Sequence, residues 1–275
     1  ILLATYNGNK YIEEQLDSLI NQTYTDWKLI VHDDGSKDRT VEIIKEYSSK
    51  YPSKIELIED SIKTGGAKNN FSHLMNFSTS PYIMFCDQDD VWVKNKIEMF
   101  YKKIIESEKL YRGVPIVVFS DLIVVNEELQ VVCKSMMKSQ KLPFIIAESY
   151  ELLKCQNIIT GCAMMFNKQA LLGSIPVPKD ILMHDWWVSL VTAKKGKNIY
   201  LNEKTVLYRQ HASNVVGHQR ISVRYVLNKI FSRKIIIDFF EIKKMLSHIE
   251  PRKQLNYMEF VACKIKVIYF RFFYE

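Results

Sequence analysis

Apolar runs and segments of helical period alternate from the first residue. Residues 1–5 form a short continuous apolar run that reads as a buried strand, and 11–20 set Ile12, Leu16, Leu19 and Ile20 on one helical face. A second strand is expected over 27–32. A helix follows over 38–51, with Val41, Ile44 and Tyr47 at helical spacing and Pro52 past its end. Residues 55–59 read as a third strand, 67–78 as a helix and 82–86 as a fourth strand. This order predicts a parallel sheet with right-handed crossovers.

The second half departs from that rhythm. A helix over 94–108, a strand over 116–121, a hairpin arm over 124–134 and a helical stretch near 148–155 precede a strand over 161–167. Two short strands, 198–201 and 206–210, close the series, so the sheet should be mixed. From Arg220 onward two or three helices broken at Pro251 are expected. The predicted class is α/β, a Rossmann-like and mostly parallel sheet flanked by helices. Residues 1–217 would form the main domain and 218–275 a basic helical extension.

Composition narrows the field. With 47% hydrophobic and 25% charged residues among 275, the chain is neither disordered nor a fibrous or disulfide-knotted type. Five cysteines without a C-x-x-C pair argue against a disulfide framework or zinc knuckle and fit a reducing, cytoplasmic setting. The chain opens without Met inside an apparent strand, which suggests residues before Ile1. No run of 18 mostly apolar residues suggests a transmembrane helix. From Arg220 to the end there are 12 Lys/Arg against 5 Asp/Glu, which equals the whole chain's net charge of +7. The first 219 residues are neutral, so nucleic-acid binding by the main body gains no support.

Ligands of open parallel sheets bind at the carboxyl ends of the strands. Three polar loops follow strands here: Ala4-Thr5-Tyr6-Asn7-Gly8, Asp33-Asp34-Gly35-Ser36 and Asp87-Gln88-Asp89-Asp90. In an extended segment Asp87 and Asp89 project to one side while Asp90 turns away. Carboxylates this close suit a hard divalent cation, Mg²⁺ or Mn²⁺, whose remaining positions take water and phosphate oxygens. A helix cap is the competing reading. At Asp33 and Asp34 a carboxylate accepting from a pyrimidine imide N–H competes with Asx-turn or cap duty. Neither a dinucleotide fingerprint nor a phosphate-binding glycine loop is present.

The segments ATYNG, VHDDGSKDRT, FCDQDDVW and MHDWW, in this order, resemble the inverting glycosyltransferase family 2 with its GT-A fold, over about residues 1–217. DQDDVW with HDWW and YRQH is most similar to bacterial rhamnosyltransferase-type members that build surface polysaccharides. The resemblance implies that Thr5, Tyr6, Asp34, Lys68 and Asp87 bind the nucleotide-sugar. It also implies that Asp87, Asp89 and His211 hold the metal and that Asp185 is the catalytic base. Residues 161–163 are similar to the segment that faces the donor sugar.

Inverting transfer needs one base to take the acceptor hydroxyl's proton. For Asp185 the rival reading is a helix N-cap, and for His211 a structural histidine. Trp186 and Trp187 offer an acceptor platform or core packing. His32, His73 and His184 read as structural. The tail mixes Lys/Arg with Ile, Phe and Tyr. That composition suits an anionic membrane surface at the inner face of the cell membrane, and equally a surface packed on the main domain or on a second subunit. The expected activity is metal-dependent transfer from dTDP-rhamnose or a UDP-sugar to a glycan or lipid-linked glycan. A nucleotidyltransferase and a catalytically silent nucleotide-binding module are the alternatives.

Overall fold

The computed structural model describes residues 1–211 and 234–273. The expected boundary at 217/218 and the start of the tail, 220–233, lie outside the described residues.

The first half follows the predicted order. The strands are β1 (Leu2–Thr5), β2 (Leu29–Asp33), β3 (Ile55–Leu57) and β4 (Tyr82–Cys86), and between them run α1 (Ile12–Ile20), α2 (Thr40–Lys50) and α3 (Ala67–Leu74). These strands pair in parallel in the order β3-β2-β1-β4. After a two-residue strand β5 (Val91–Trp92) comes α4 (Lys96–Leu110), followed by the long β6 (Ile116–Val125) and its hairpin partner β7 (Val131–Cys133). Three four-residue helices, α5 (Met136–Ser139), α6 (Ile145–Glu148) and α7 (Tyr150–Leu153), lead to β8 (Met164–Asn167), α8 (Lys168–Ser174), α9 (His184–Lys195) and β9 (Lys197–Arg209). The sheet continues past β4 with β8, β6, β9 and β5. Here β8 runs antiparallel to both neighbours and β6 parallel to β9.

Why the central strands read as unbroken apolar runs is plain from the packing: both faces are covered. Leu2, Ala4, Ile83 and Phe85 point into one buried cluster with α3 and α9, while Leu3, Val31, Met84 and Cys86 point into the other with α1, α2 and α4. Two expectations are corrected. The strands expected over 198–201 and 206–210 are one strand, because the polar residues Asn202 to Lys204 remain in β9 opposite a register shift at Ser120/Asp121. Residues 161–163 form a 3₁₀ turn ahead of β8 rather than its first residues.

The C-terminal helices α10 (Lys234–Ser247) and α11 (Tyr257–Phe273) are not a detached appendage. Ile235, Phe239, Ile242, Met245, Phe260 and Val267 are buried in the same cluster as α3 and α9. Glu250 accepts from Tyr150 and pairs with Lys194, and Lys264 Nζ donates to the Cys155 carbonyl at 2.7 Å. The tail thus packs on the main domain, although its outer face leaves Ile237, Phe240 and Met258 exposed. No helix among the described residues is long and apolar enough to cross a membrane.

Candidate active site

Parallel pairing fixes where the polar loops emerge. Thr5 is level with Asp33 and Leu3 with Cys86, so the loops after β1, β2 and β4 leave from one rim. They line a single cleft of about 1490 Å³ together with Gly161, His184, Asp185, His211 and residues of α10 and α11.

The two aspartates after β2 divide their duties. Asp33 accepts from Gly35 N–H, Ser36 N–H and the hydroxyls of Thr5 and Ser36, which builds the Asx turn. Gly35 sits at φ +88°, where a side chain would be strained. Asp34 faces the cleft. Its Oδ1 accepts from the Thr64 N–H and hydroxyl and from Gly65 N–H, and its Oδ2 from Gly66 N–H at 2.7 Å. Burial opposes ionisation there, but these donors outweigh it and hold the Asp34 carboxyl below its ordinary range.

Gln88 locks the β1 and β4 loops together. Its amide accepts from Tyr6 N–H at 2.9 Å and donates to the Tyr6 carbonyl at 3.0 Å. Gly8 leaves room for it, since a Cβ there would lie 2.4 Å from Gln88 Oε1. The Tyr6 ring, 53% exposed, projects into the cleft mouth, whereas Thr5 is buried.

Asp87 and Asp89 both line the cleft. Burial, with Asp89 and Asp185 nearby, pushes the Asp87 carboxyl well above its ordinary range. Asp89 Oδ2 lies 2.7 Å from His211 Nε2. Asp90 does not simply turn away. It is fully buried, accepts from Arg209 N–H at 3.1 Å, and offers a ligand atom within 4.8 Å of Asp87 and the Cys162 sulfur. Two buried cations brace this acidic loop. Arg209 donates from Nε to the Asp89 carbonyl at 2.9 Å and pairs with Glu14. Lys96 donates to the Cys162 carbonyl and lies 3.4 Å from the Trp92 ring centroid. Burial pulls the Lys96 ammonium down to about 8. Crowded carboxylates and one imidazole at a cleft wall are a hard donor set that fits a Mg²⁺ or Mn²⁺ ion.

Asp185 lies in the first turn of α9, whose N-cap is Met183, so the cap reading is corrected. Its Oδ1 accepts from Trp186 N–H at 2.5 Å and Asn157 Nδ2 at 3.2 Å, and its Oδ2 accepts from Gly161 N–H at 3.0 Å. Burial raises its pKa to about 6, partly offset by these three donors. The neighbouring His184 is stacked on Phe71 at 4.1 Å and held neutral by burial, which lowers its pKa to about 3.

Three expected residues are not on the cleft. Lys68 Nζ donates to the carbonyls of Lys179 and Ile181, at 3.2 and 3.0 Å, so it ties α3 to the loop before α9. Trp187 is 5% exposed with its indole N–H on the Ser174 carbonyl, and Trp186 is half-buried with its N–H on the Leu153 carbonyl. Both indoles belong to the packing of α9, because buried Trp needs an acceptor for its N–H and each finds one inside the protein. Reasoning from sequence missed Gln88, Asn157 and Lys96. Gln88 and Lys96 are near the acidic motif in sequence, but Asn157 carries no local signal.

Comparison with known proteins gives the family and the fold. A family model described as glycosyl transferase family 2 matches residues 1–172. The dTDP-rhamnosyl transferase RfbG of Shigella flexneri is 31% identical over 219 residues, covering 78% of this chain and 73% of RfbG. WfgD of Escherichia coli, a UDP-Glc:alpha-D-GlcNAc-diphosphoundecaprenol beta-1,3-glucosyltransferase, is 35% identical over 101 residues, covering 36% of this chain and 38% of WfgD. Among solved structures, S. aureus TarS 1–349 in complex with UDP superposes with a TM-score of 0.62 at 18% identity, covering 99% of this chain and 71% of TarS 1–349. The mannosyltransferase PcManGT from Pyrobaculum calidifontis, in complex with GDP-Man and Mn²⁺, gives 0.61 at 14% identity, covering 99% and 69%. The structural likeness establishes the GT-A fold, and with the family match over more than half of its length the chain belongs to glycosyl transferase family 2.

Proposed function

We propose that the protein performs metal-dependent, inverting transfer of a sugar from a nucleotide-diphospho-sugar to a hydroxyl of a bacterial surface glycan. dTDP-rhamnose is the first donor, by similarity to RfbG, and a UDP-sugar the second. The observation that carries the reading is that Asp34, Asp87, Asp89, Asp185 and His211, from four separate segments, line one cleft.

At the nucleotide end, Tyr6 offers an exposed ring for a pyrimidine to stack on, and Asp34 Oδ2, which among the described residues accepts from Gly66 N–H alone, keeps an acceptor position for the base imide. Asp87, Asp89 and His211 would hold the divalent ion, which when bound supplies Lewis-acid stabilisation of the departing diphosphate. Asp185 takes the acceptor proton. Its raised pKa, about 6, makes it a stronger base than an ordinary carboxylate while leaving it ionised at neutral pH. Asn157, Gly161 N–H and Trp186 N–H fix both oxygens, so the lone pair that receives the proton keeps one direction. The acceptor hydroxyl is itself the nucleophile, so no covalent intermediate on the protein is needed and a single base on the acceptor side suffices.

On the exposed face of α10, Ile236, Ile237 and Phe240 stand beside Lys234 and Lys244, a surface suited to peripheral attachment at the inner leaflet near a lipid-linked acceptor. Sedimentation with anionic liposomes checks this, and Phe240→Glu should reduce it.

The central test is a thermal-shift screen of nucleotide-sugars with Mn²⁺, followed by mass analysis of the product formed with the best donor. A ligand that binds only the native state raises the melting temperature. A shift with dTDP-rhamnose or a UDP-sugar that requires Mn²⁺ is expected. No shift with any nucleotide-sugar would overturn the reading.

A further inference from the structure

Outside the cleft, a second group of metal-ligating side chains gathers at the far side of the Asp34 loop. His32 belongs to β2, Asp60 follows β3, and His73 belongs to α3. Asp60 spans the two rings, with Oδ1 3.0 Å from His32 Nε2 and Oδ2 2.7 Å from His73 Nε2. The rings meet edge to face, 4.7 Å between centroids, and one ligand atom from each residue lies within 4.8 Å of the other two.

Asn70 decides which nitrogen of His32 carries the proton. Its Nδ2 donates to the His32 carbonyl at 3.1 Å, which turns its Oδ1 toward the ring, 2.7 Å from His32 Nδ1. Nδ1 therefore donates, and the neutral ring has its lone pair at Nε2. That lone pair faces a carboxylate oxygen, and two acceptors at 3.0 Å need a cation between them. A metal ion satisfies both imidazoles and the carboxylate together. An oxygen acceptor on one ring nitrogen, fixing the other as ligand, is the usual support of a metal-bound histidine.

The geometry points to a divalent transition-metal site of the zinc class at His32, Asp60 and His73. Two imidazole nitrogens and one carboxylate suit zinc better than magnesium. The partly exposed sides of Asp60 and His73 leave a fourth position for water. Ligand atoms on a four-coordinate zinc ion stand about 3.3 Å apart, so loading widens the present contacts by a few tenths of an ångström. The ion would also pin the start of the segment that ends in Thr64, Gly65 and Gly66, the donors to Asp34.

The test uses the full chain after chelator treatment. Crystals soaked in zinc chloride should give an anomalous peak bonded to His32 Nε2 and His73 Nε2. Zinc titrated against a chromophoric chelator should show one tight equivalent that is lost in His73→Ala and in the near-isosteric Asp60→Asn. Asn70→Ala should weaken it about 10–100-fold, through loss of the supporting hydrogen bond. Amide exchange at 64–66 should slow on adding zinc to the wild type and not to Asp60→Asn. Anomalous density confined to the Asp87/Asp89/His211 cleft, or equal tight uptake by Asp60→Asn, overturns the site. Should His73→Ala fail to fold, the soaked wild-type crystal and Asp60→Asn decide.

Discussion

Replacing Asp185 by Asn separates what the carboxylate costs the fold from what it does. The residue is 7% exposed, and burial lifts its pKa from 3.8 to about 6. An acid whose folded pKa exceeds its unfolded one binds its proton more tightly when folded. Its contribution is therefore most favourable below about pH 4, declines as pH rises to about 6, and is fully unfavourable above that. A difference of about two pH units amounts to about 3 kcal/mol at neutral pH. The amide removes this cost. It also replaces one acceptor oxygen by NH₂: with the amide oxygen kept toward Asn157 and Trp186, the NH₂ meets Gly161 N–H, at about 1–3 kcal/mol. The two effects nearly cancel, so stability at pH 7.5 should lie between unchanged and about 2 kcal/mol higher. Transfer should fall by about 10²–10⁴, the usual worth of a general base. Urea unfolding at pH 4.5 and 7.5, together with product detection by mass spectrometry, reads both. Transfer within tenfold of wild type would refute the base assignment, and a loss of several kcal/mol would mark Asp185 as structural instead.

Asp89→Asn should abolish transfer and remove the Mn²⁺-dependent part of nucleotide affinity in calorimetry, leaving the Mn²⁺-independent part unchanged. Trp187→Ala should cost about 3–5 kcal/mol in urea unfolding, as for a large core side chain, with nucleotide affinity retained. An affinity loss with stability intact would return that indole to the cleft. Arg209→Ala strips the buried donor from the Asp89 carbonyl, while the half-exposed Glu14 stays solvated, and should cost about 1–3 kcal/mol. Transfer activity of its folded fraction should also drop, because the acidic loop loses its brace. Wild-type kcat/KM should rise with pH through about 6 as Asp185 ionises, a limb absent from Asp185→Asn.

What could be read from the chain divides by range of interaction. The strands β1, β2 and β4 and the helices between them were legible because each is a local apolar period, and the acidic loops were legible because they follow those strands. Longer-range features were not. β9 looks like two strands because Asn202 to Lys204 are polar, and its pairing with β6 on both sides of the register shift makes it one. Asp90 was expected to turn away from its neighbours, yet burial beside Cys162 and the Arg209 backbone draws it under the loop. The adjacent indoles of α9 announce aromatic surface but not its direction, which is set by the Ser174 and Leu153 carbonyls. Composition of the tail could not separate a lipid surface from a packed one. The helical stripe Ile235, Phe239, Ile242 and Met245 is the part that packs, and the outward Ile237 and Phe240 are the part that does not.

The helices after β9 also furnish cleft lining, through Ile235, Val267, Ile268 and Arg271, whereas the acidic loops come from the first ninety residues. Stretches far apart along the chain therefore shape different parts of one cavity. Exchange or drift of α10 and α11 among relatives would remodel one lining while leaving the carboxylate rim inherited intact, so new pairings of old and new specificity could arise without reinventing the chemistry. The same seam limits trimming: a fragment that stops at β9 would expose apolar side chains now covered by α10 and α11 and would be born with an open core.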